Sequence, residues 1–399
     1  MQILDAQKES KIWPLFRLGF RTFFLGGALF ATGAMLMWLL TLLGFKVLPG
    51  VVNPIWWHAH EMIFGFGLAI VAGFVLTAIQ NWTGIPGVRG WPLATVSLLW
   101  LLPRLLMPLR GELNPLVVVL DLLWLPLVAG LLARPIIQIK QWRNLFFVPL
   151  LGFMTLLNAL SYYAAFSGNW LLAERTFIAA VLALSALIAV MGGRVIPFFT
   201  SRATGTEKPQ PIVLLEKLSL GSFWLATLGW LLLPRAPLFN GLLALLLLVA
   251  ALSNLARLAR WNSKLTLNIP LLWILHLGYL FIPIGLLALA AALLNLGISV
   301  SLASHWLTAG ALGAVIIGMI ARVSLGHSGR PLEIGRTMVV AFALAILATL
   351  LRSLLPLLAP GVTTPAYHGS ALAWIGAFGI FCWVYWPVLT RPRVDGRPG

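Results

Sequence analysis

Charge is what this 399-residue chain has least of: 9% of its residues are Asp, Glu, Lys or Arg, against about 25% in a soluble domain. With 60% of the residues hydrophobic, a soluble globular fold is excluded, and the chain reads as an all-α integral membrane protein. Acidic residues are the scarcest charges, 10 against 27 basic ones, for a net charge of +17. In a soluble chain that balance would suggest nucleic acid. Here the Lys and Arg residues sit between apolar runs, where they mark the cytoplasmic side of a membrane, and no nucleic-acid partner is expected. The single cysteine, Cys382, excludes an internal disulfide framework, a thiolate cluster and the C-x-x-C-H attachment of a covalently bound haem. The polar N-terminal stretch lacks the short apolar core and small-residue cleavage pattern of a secretory signal, so it is expected to remain in the mature protein.

Apolar runs are what the chain has in quantity. Runs of about 20 residues, separated by Gly-, Pro- and Asn-rich connections such as NWTGIPGVRG and SRATGTEKPQP, predict twelve transmembrane helices. They fall at 20–44, 55–80, 91–109, 115–134, 144–166, 172–199, 212–234, 239–258, 269–295, 303–325, 333–357 and 368–390. All belong to one polytopic domain covering 1–399: helices 1–6 at about 20–199, a charged loop at 200–211, and helices 7–12 at about 212–390. Sorted by connection, 21 of the 27 basic residues fall on the side shared by the N-terminus, the C-terminus and the loops after even-numbered helices. Both termini are therefore expected in the cytoplasm. The two halves show no strong internal repeat.

Against this apolar background, the segment WWHAHEMIFGFG stands out. His58 and His60 open helix 2 near its outer face, and residues two apart on a helix point about 200° apart. They therefore suit two different centres, or one ligand and one neighbouring group. Glu61, about 100° round from His60, is the candidate proton relay. His305 opens helix 10 on the same outer side, His276 lies in the inner half of helix 9, and His327 closes helix 10 towards the cytoplasm. His305 and His327, 22 residues apart, are separated by roughly 33 Å of helix and cannot share a metal. Arg104, Asp121 and Glu174 are the other polar residues of the outer half, with Arg104 expected to pair with an acid or hold a propionate. Plainer readings exist for each: polar groups at a Trp-rich helix end, structural ion pairs, and helix packing for the small-residue spacing Gly65, Ala69 and Gly73 on helix 2 and Ala309/Gly313 with Ala314/Gly318 on helix 10.

The run WWHAHEMIFGFGLAIVAGFVLTAIQNWTG resembles the signature helix of the NnrS family, bacterial membrane proteins tied to nitric oxide and denitrification. FRLGFRTFFLGGALFA, MGGRVIPFFTSR, HLGYLFIPIG and HWLTAGALGAVIIGMIARVSLGHSGRPL fit the same family in the same order, with GHSGR where the family usually has GHTGR. The resemblance implies a non-covalent haem b, with copper as the second metal, and protection from nitrosative stress in the bacterial inner membrane. Its matching residues make His58, His60, His276, His305 and His327 the cofactor and metal candidates, with Arg104 beside them and Glu61 as the catalytic candidate. His368 lies outside every matching block.

Nitric oxide is the expected small-molecule partner, within a lipid bilayer and with an electron donor that the sequence does not identify. Turnover would make the chain an oxidoreductase of the nitric oxide reductase kind. The competing classes are a twelve-helix transporter of a metal or nitrosyl-metal species, and a haem sensor without turnover.

Overall fold

The computed structural model describes residues 9–397. Lys8, one of the residues used to orient the chain, and the last two residues of the VDGRPG tail lie outside them. Among the described residues there is no strand, and twelve long helices follow one another. They are α1 (Gly19–Leu42), α2 (Pro54–Thr83), α3 (Trp91–Arg110), α4 (Pro115–Gln138), α5 (Phe147–Phe166), α6 (Trp170–Thr204), α7 (Val213–Leu232), α8 (Pro237–Ala259), α9 (Pro270–Leu293), α10 (Val300–His327), α11 (Arg336–Leu358) and α12 (Thr363–Thr390).

Eleven of them are long and apolar enough to cross a membrane. The exception is α7, where Glu216 and Lys217 interrupt the apolar run near its start. Most helix ends shift from expectation by up to four residues, and two shift by five. Helix α6 continues to Thr204 through the first part of the expected 200–211 loop; there the Thr200 and Thr204 hydroxyls bond the carbonyls of Ile196 and Thr200 in the preceding turn, so they do not compete with the helix from outside it. Helix α12 begins at Thr363, so His368 sits inside it and does not open it.

The chain separates into two compact units, Met1–Phe177 with Ile320–Leu332 and Phe378–Gly399, and Ile178–Met319 with Glu333–Ala377. In the first, α1 packs along α2, and α4 packs on α3 and α5; in the second, α8 packs on α7 and α9, and α9 on α10. Helices α2 and α10 are each the second member of a tightly packed pair.

Those two helices also share a register. Aligned on His60 and His305, Gly65 falls on Gly310, Ala69 on Ala314, Gly73 on Gly318, Thr83 on Ser328 and Pro86 on Pro331. Immediately after its histidine each helix passes into a seven-residue π segment, Glu61–Gly67 and Trp306–Leu312. Each then resumes α geometry and ends at a left-handed glycine, Gly84 with φ 72° and Gly329 with φ 74°, a conformation glycine adopts without steric cost. The repeat thus pairs α2 with α10 and not with α8, its counterpart in a division into 1–6 and 7–12. A comparison of halves misses it for that reason. A π segment carries an extra residue per turn and redirects carbonyls away from their ordinary partners; in α2 the Gly65 carbonyl accepts from Trp100 Nε1 at 2.9 Å.

Candidate functional site

Asn53 caps α2 by accepting from the backbone N–H groups of Ile55 and Trp56, and Pro54 occupies the first helical position, as its missing N–H allows. Trp56 and His60, four residues apart, lie on one face and stack, with centroids 4.5 Å apart and planes at 15°. Trp56 Nε1 is anchored to the Ser161 carbonyl at 3.0 Å. Opposite them, the tight connection between α3 and α4 folds the two helices antiparallel. This brings Arg104, seven residues before Gly111, beside Asp121, seven after Asn114. On α5, Asn158 and Tyr162 are again four apart and share a face.

These elements converge on one buried polar group. His60 Nδ1 faces Glu61 Oε1 at 2.9 Å. Its Nε2 faces Asn158 Oδ1 at 2.9 Å and Asp121 Oδ2 at 3.1 Å. Asp121 forms an ion pair with Arg104 and accepts from Asn158 Nδ2 at 2.9 Å and the Tyr162 hydroxyl at 3.0 Å. Arg104 Nε reaches Glu61 Oε2 at 3.4 Å. His60, Glu61, Arg104, Asp121, Asn158 and Tyr162 are all buried. Gly65 makes the assembly possible, since a Cβ there would lie 2.7 Å from Glu61 Oε2 and from Phe30.

Donor and acceptor inventory decides what this group can do. Asn158 gives its amide N–H to Asp121, so its carbonyl end faces His60, and both imidazole nitrogens then meet oxygen acceptors. With an N–H on each nitrogen, His60 and Arg104 balance Glu61 and Asp121, and the group is electroneutral. Isolated charge in a low-dielectric interior is costly, which favours that balanced form. The group can therefore hold a proton and pass it between Glu61 and Asp121 through one imidazole.

The other candidates divide by how their nitrogens are used. His58 points away from His60 and stacks on Trp38 of α1 at 4.5 Å. His276 is satisfied at both ends: Nε2 lies 2.9 Å from the Thr200 hydroxyl and Nδ1 2.8 Å from the Ser263 hydroxyl. It borders an apolar cavity of about 300 Å³ with Leu258, Trp273 and Leu280. In α10, His305 donates from Nδ1 to the Ser301 carbonyl at 2.7 Å, which fixes the tautomer that places the ring's lone pair on Nε2. The His327 ring lies 5.4 Å from Phe20, and its carbonyl accepts from Arg393. Glu174 is exposed and takes no part in the His60 cluster, while His368 is half-buried in α12. Among the described residues no group of three or more His, Cys, Asp or Glu side chains is arranged to hold a metal ion.

Several structural partners were not anticipated. Asn158 and Tyr162 complete the Asp121 shell, and their spacing on α5 was the available signal. Glu112, buried in the α3–α4 connection, accepts from the backbone of Val52 and Asn53 and so holds the entry to α2. Three arginines counted on the cytoplasmic side, Arg17, Arg21 and Arg257, are buried instead, and Arg17 Nε donates to the Ile12 carbonyl at 3.0 Å. Arg21 Nη1 caps the end of α12 through the carbonyls of Val388, Leu389 and Arg391. Arg257 is tied to Glu216, Ser219, Asn254, Tyr279 and the Ala189 carbonyl. No curated protein matches the chain. The family model described as NnrS protein matches residues 14–393, nearly the whole length and every residue of the His60 cluster, and the chain belongs to the NnrS family.

Proposed function

We propose that this protein is a twelve-span component of the bacterial inner membrane, with both termini in the cytoplasm, that binds and reduces nitric oxide and so protects against nitrosative stress. Family membership supports a membrane protein of the nitric oxide response. The twelfth span is α7, whose Glu216 is paired with Arg257 at 2.9 Å; its charge is neutralised locally, and the rest of the helix is apolar. Setting aside the buried Arg17, Arg21 and Arg257 leaves the basic bias towards one side intact, and with it the orientation.

Haem b fits the donor set. It needs one or two imidazoles, and His305 offers one, its Nδ1 hydrogen bond being the kind of outer contact that orients a ligating ring. His58 carries a further imidazole against Trp38. A haem would supply the iron for binding nitric oxide and passing electrons. The copper that the family resemblance implies finds no three-donor set among the described residues. His60 and His276, with both nitrogens engaged, serve better as a proton-holding group and as a structural one.

The observation that carries the reductive reading is the buried His60, with a carboxylate close to each ring nitrogen. Coupling two nitric oxide molecules to nitrous oxide and water consumes two electrons and two protons. In an apolar interior those protons must be stored on side chains. Glu61, at the edge of the cluster next to Arg104 Nε, is the group that accepts the Nδ1 proton of His60 when one is drawn off, and that takes up its replacement and returns it to the then neutral imidazole. Nitric oxide itself, small and apolar, reaches the interior from the bilayer.

Absorbance spectra of the detergent-purified protein, oxidised and reduced, with and without nitric oxide, test this. We expect b-type bands that shift with nitric oxide, are lost in His305→Gln, and persist in His60→Gln, where nitric oxide consumption falls at least tenfold. A spectrum without haem from protein made in haem-replete cells overturns the reading. A transporter would then take its place, favoured by the internal repeat of α2 and α10 with helices interrupted by π segments and by intramembrane charges.

A further inference from the structure

The register shared by α2 and α10 exposes a missing charge. In the first unit, Arg104 of α3, the helix after α2, reaches the turn around His60 and finds two carboxylates, Asp121 and Glu61. In the second unit, Arg352 of α11, the helix after α10, likewise reaches the turn around His305: Nη2 donates to Ser301 Oγ at 2.9 Å. Ser301 also supplies the carbonyl that orients His305. Where Glu61 stands in α2, the register places Trp306 in α10. The following helix, α12, gives Arg352 the ring of Tyr367, 4.0 Å from the guanidinium carbon, and no acid. Among the described residues Arg352 forms no ion pair with a carboxylate, and its Nη1 has no hydrogen-bond partner.

A guanidinium in a membrane-spanning helix ordinarily pairs with a carboxylate or with backbone carbonyls, as Arg104 and Arg21 do; Arg352 meets a hydroxyl and a ring. A hydroxyl and an aromatic face satisfy its geometry without neutralising it. We propose that the second unit takes its counter-anion from outside the chain: Arg352, Ser301 and Tyr367 form a binding site for an oxyanion, a phosphate or carboxylate group, beside His305. The fork of a guanidinium matches two oxygens of such a group, Ser301 is exposed and keeps the site open, and the Tyr367 ring holds the guanidinium plane. Either a phospholipid headgroup or a free oxyanion carries this chemistry. The inference does not depend on haem or on nitric oxide turnover.

Thermal unfolding of the purified full-length protein tests it, with millimolar inorganic phosphate as one probe and phosphatidylglycerol in mixed micelles as the other, each against a chloride or phosphatidylethanolamine control. We expect the melting temperature to rise by several degrees. A response to phosphate identifies a free oxyanion, and a response to phosphatidylglycerol alone identifies a headgroup; each supports the site only if Arg352→Gln abolishes it. Ser301→Asp places a carboxylate within reach of the guanidinium on an exposed position. That variant should melt higher than wild type without additive and lose the response, so the test survives if Arg352→Gln folds poorly. A wild-type protein indifferent to both probes, or a Ser301→Asp variant that responds as wild type does, overturns the proposal.

Discussion

His60 and His305 stand at the same place in their helices, one residue before a seven-residue π segment, and meet opposite surroundings. His60 is fully buried, and both its nitrogens face side-chain oxygens from three other residues on α2, α4 and α5. His305 is half-buried, its Nδ1 turned back onto its own helix at Ser301. The arginine that approaches each shows the same contrast: Arg104 is matched by Asp121 and Glu61, Arg352 by a hydroxyl and a ring. One repeat is closed and charge-balanced, the other open and short of an anion. Two helices with the same backbone device thus differ in the polar groups that neighbouring helices bring to it.

The largest effect should come from opening the closed copy. Asp121→Asn removes the carboxylate that faces Arg104 and His60 and accepts from Asn158 and Tyr162, leaving Glu61 as the one carboxylate beside a buried arginine and a buried imidazole. Destabilisation of about 3–5 kcal/mol is expected, visible in thermal unfolding of the detergent-purified protein. Arg352→Gln, which breaks no ion pair, should cost about 1 kcal/mol or less, the worth of one hydrogen bond near the surface. Equal losses at the two positions would mean that the contrast between the copies has no energetic content.

The glycines that admit each π segment come next. A Cβ at Gly65 would meet Glu61 Oε2 and Phe30 at 2.7 Å, and one at Gly310 would meet Phe281 at 2.9 Å. Overpacking of this kind costs about 1–3 kcal/mol, so Gly65→Ala and Gly310→Ala should lose similar stability. Only Gly65→Ala displaces a carboxylate. If both variants consume nitric oxide at the same rate, Glu61 is not the proton donor assigned to it.

How much of this could be read from the chain follows from what each feature depends on. Helix positions depend on local apolar runs, and all twelve appear where those runs are; the misplaced ends at Thr204 and Thr363 turn on hydroxyls and loop residues whose pattern does not distinguish helix from connection. The opposed directions of His58 and His60 are helix arithmetic and hold. The partner of Arg104 was legible only as a choice among acids, because Asp121 was selected by the antiparallel turn at Gly111–Asn114. Asn158 and Tyr162 come from a helix with no other polar signature, and the α2–α10 repeat is carried by glycines and a π segment more than by side chains. The buried arginines Arg17, Arg21 and Arg257 show the limit of counting charges: a cation at a helix end can serve a carbonyl or a buried network as well as solvent.

Arg257 supplies a third, milder test of what closes a charge. Its partner Glu216 is about one-third exposed, with Nε to Oε1 at 2.9 Å. Solvent screens that half of the pair, and Asn254, Tyr279 and the Ala189 carbonyl remain if it is lost. Glu216→Gln should therefore cost about 0.5–1.5 kcal/mol, well below Asp121→Asn, by the same unfolding measurement. A loss as large as that of Asp121→Asn would mean that Glu216 is buried in the membrane-embedded protein and that α7 carries its charge across the bilayer at full cost.

The smallest effect belongs to the end of the chain, where Asp395 is exposed and Arg393 half-buried. Arg393 donates to the His327 carbonyl and, through Nε and Nη2, to both oxygens of Asp395 at 2.9 and 2.6 Å; Val394 N–H bonds the Ser328 carbonyl. The Arg393 hydrogen bonds hold the Asp395 carboxyl down at about 2. A depressed carboxyl contributes stability above its unfolded value, about 3.9, and loses it as pH falls through the folded one. Hydrogen exchange across residues 391–397 should thus be slower in wild type than in Asp395→Asn by the same factor from pH 7 to pH 5, with the two converging between about pH 4 and pH 2. Solvent screening keeps that factor small. Convergence already at pH 6 would assign the tail's attachment to a different titrating group, with His327, whose carbonyl Arg393 holds, the first to test.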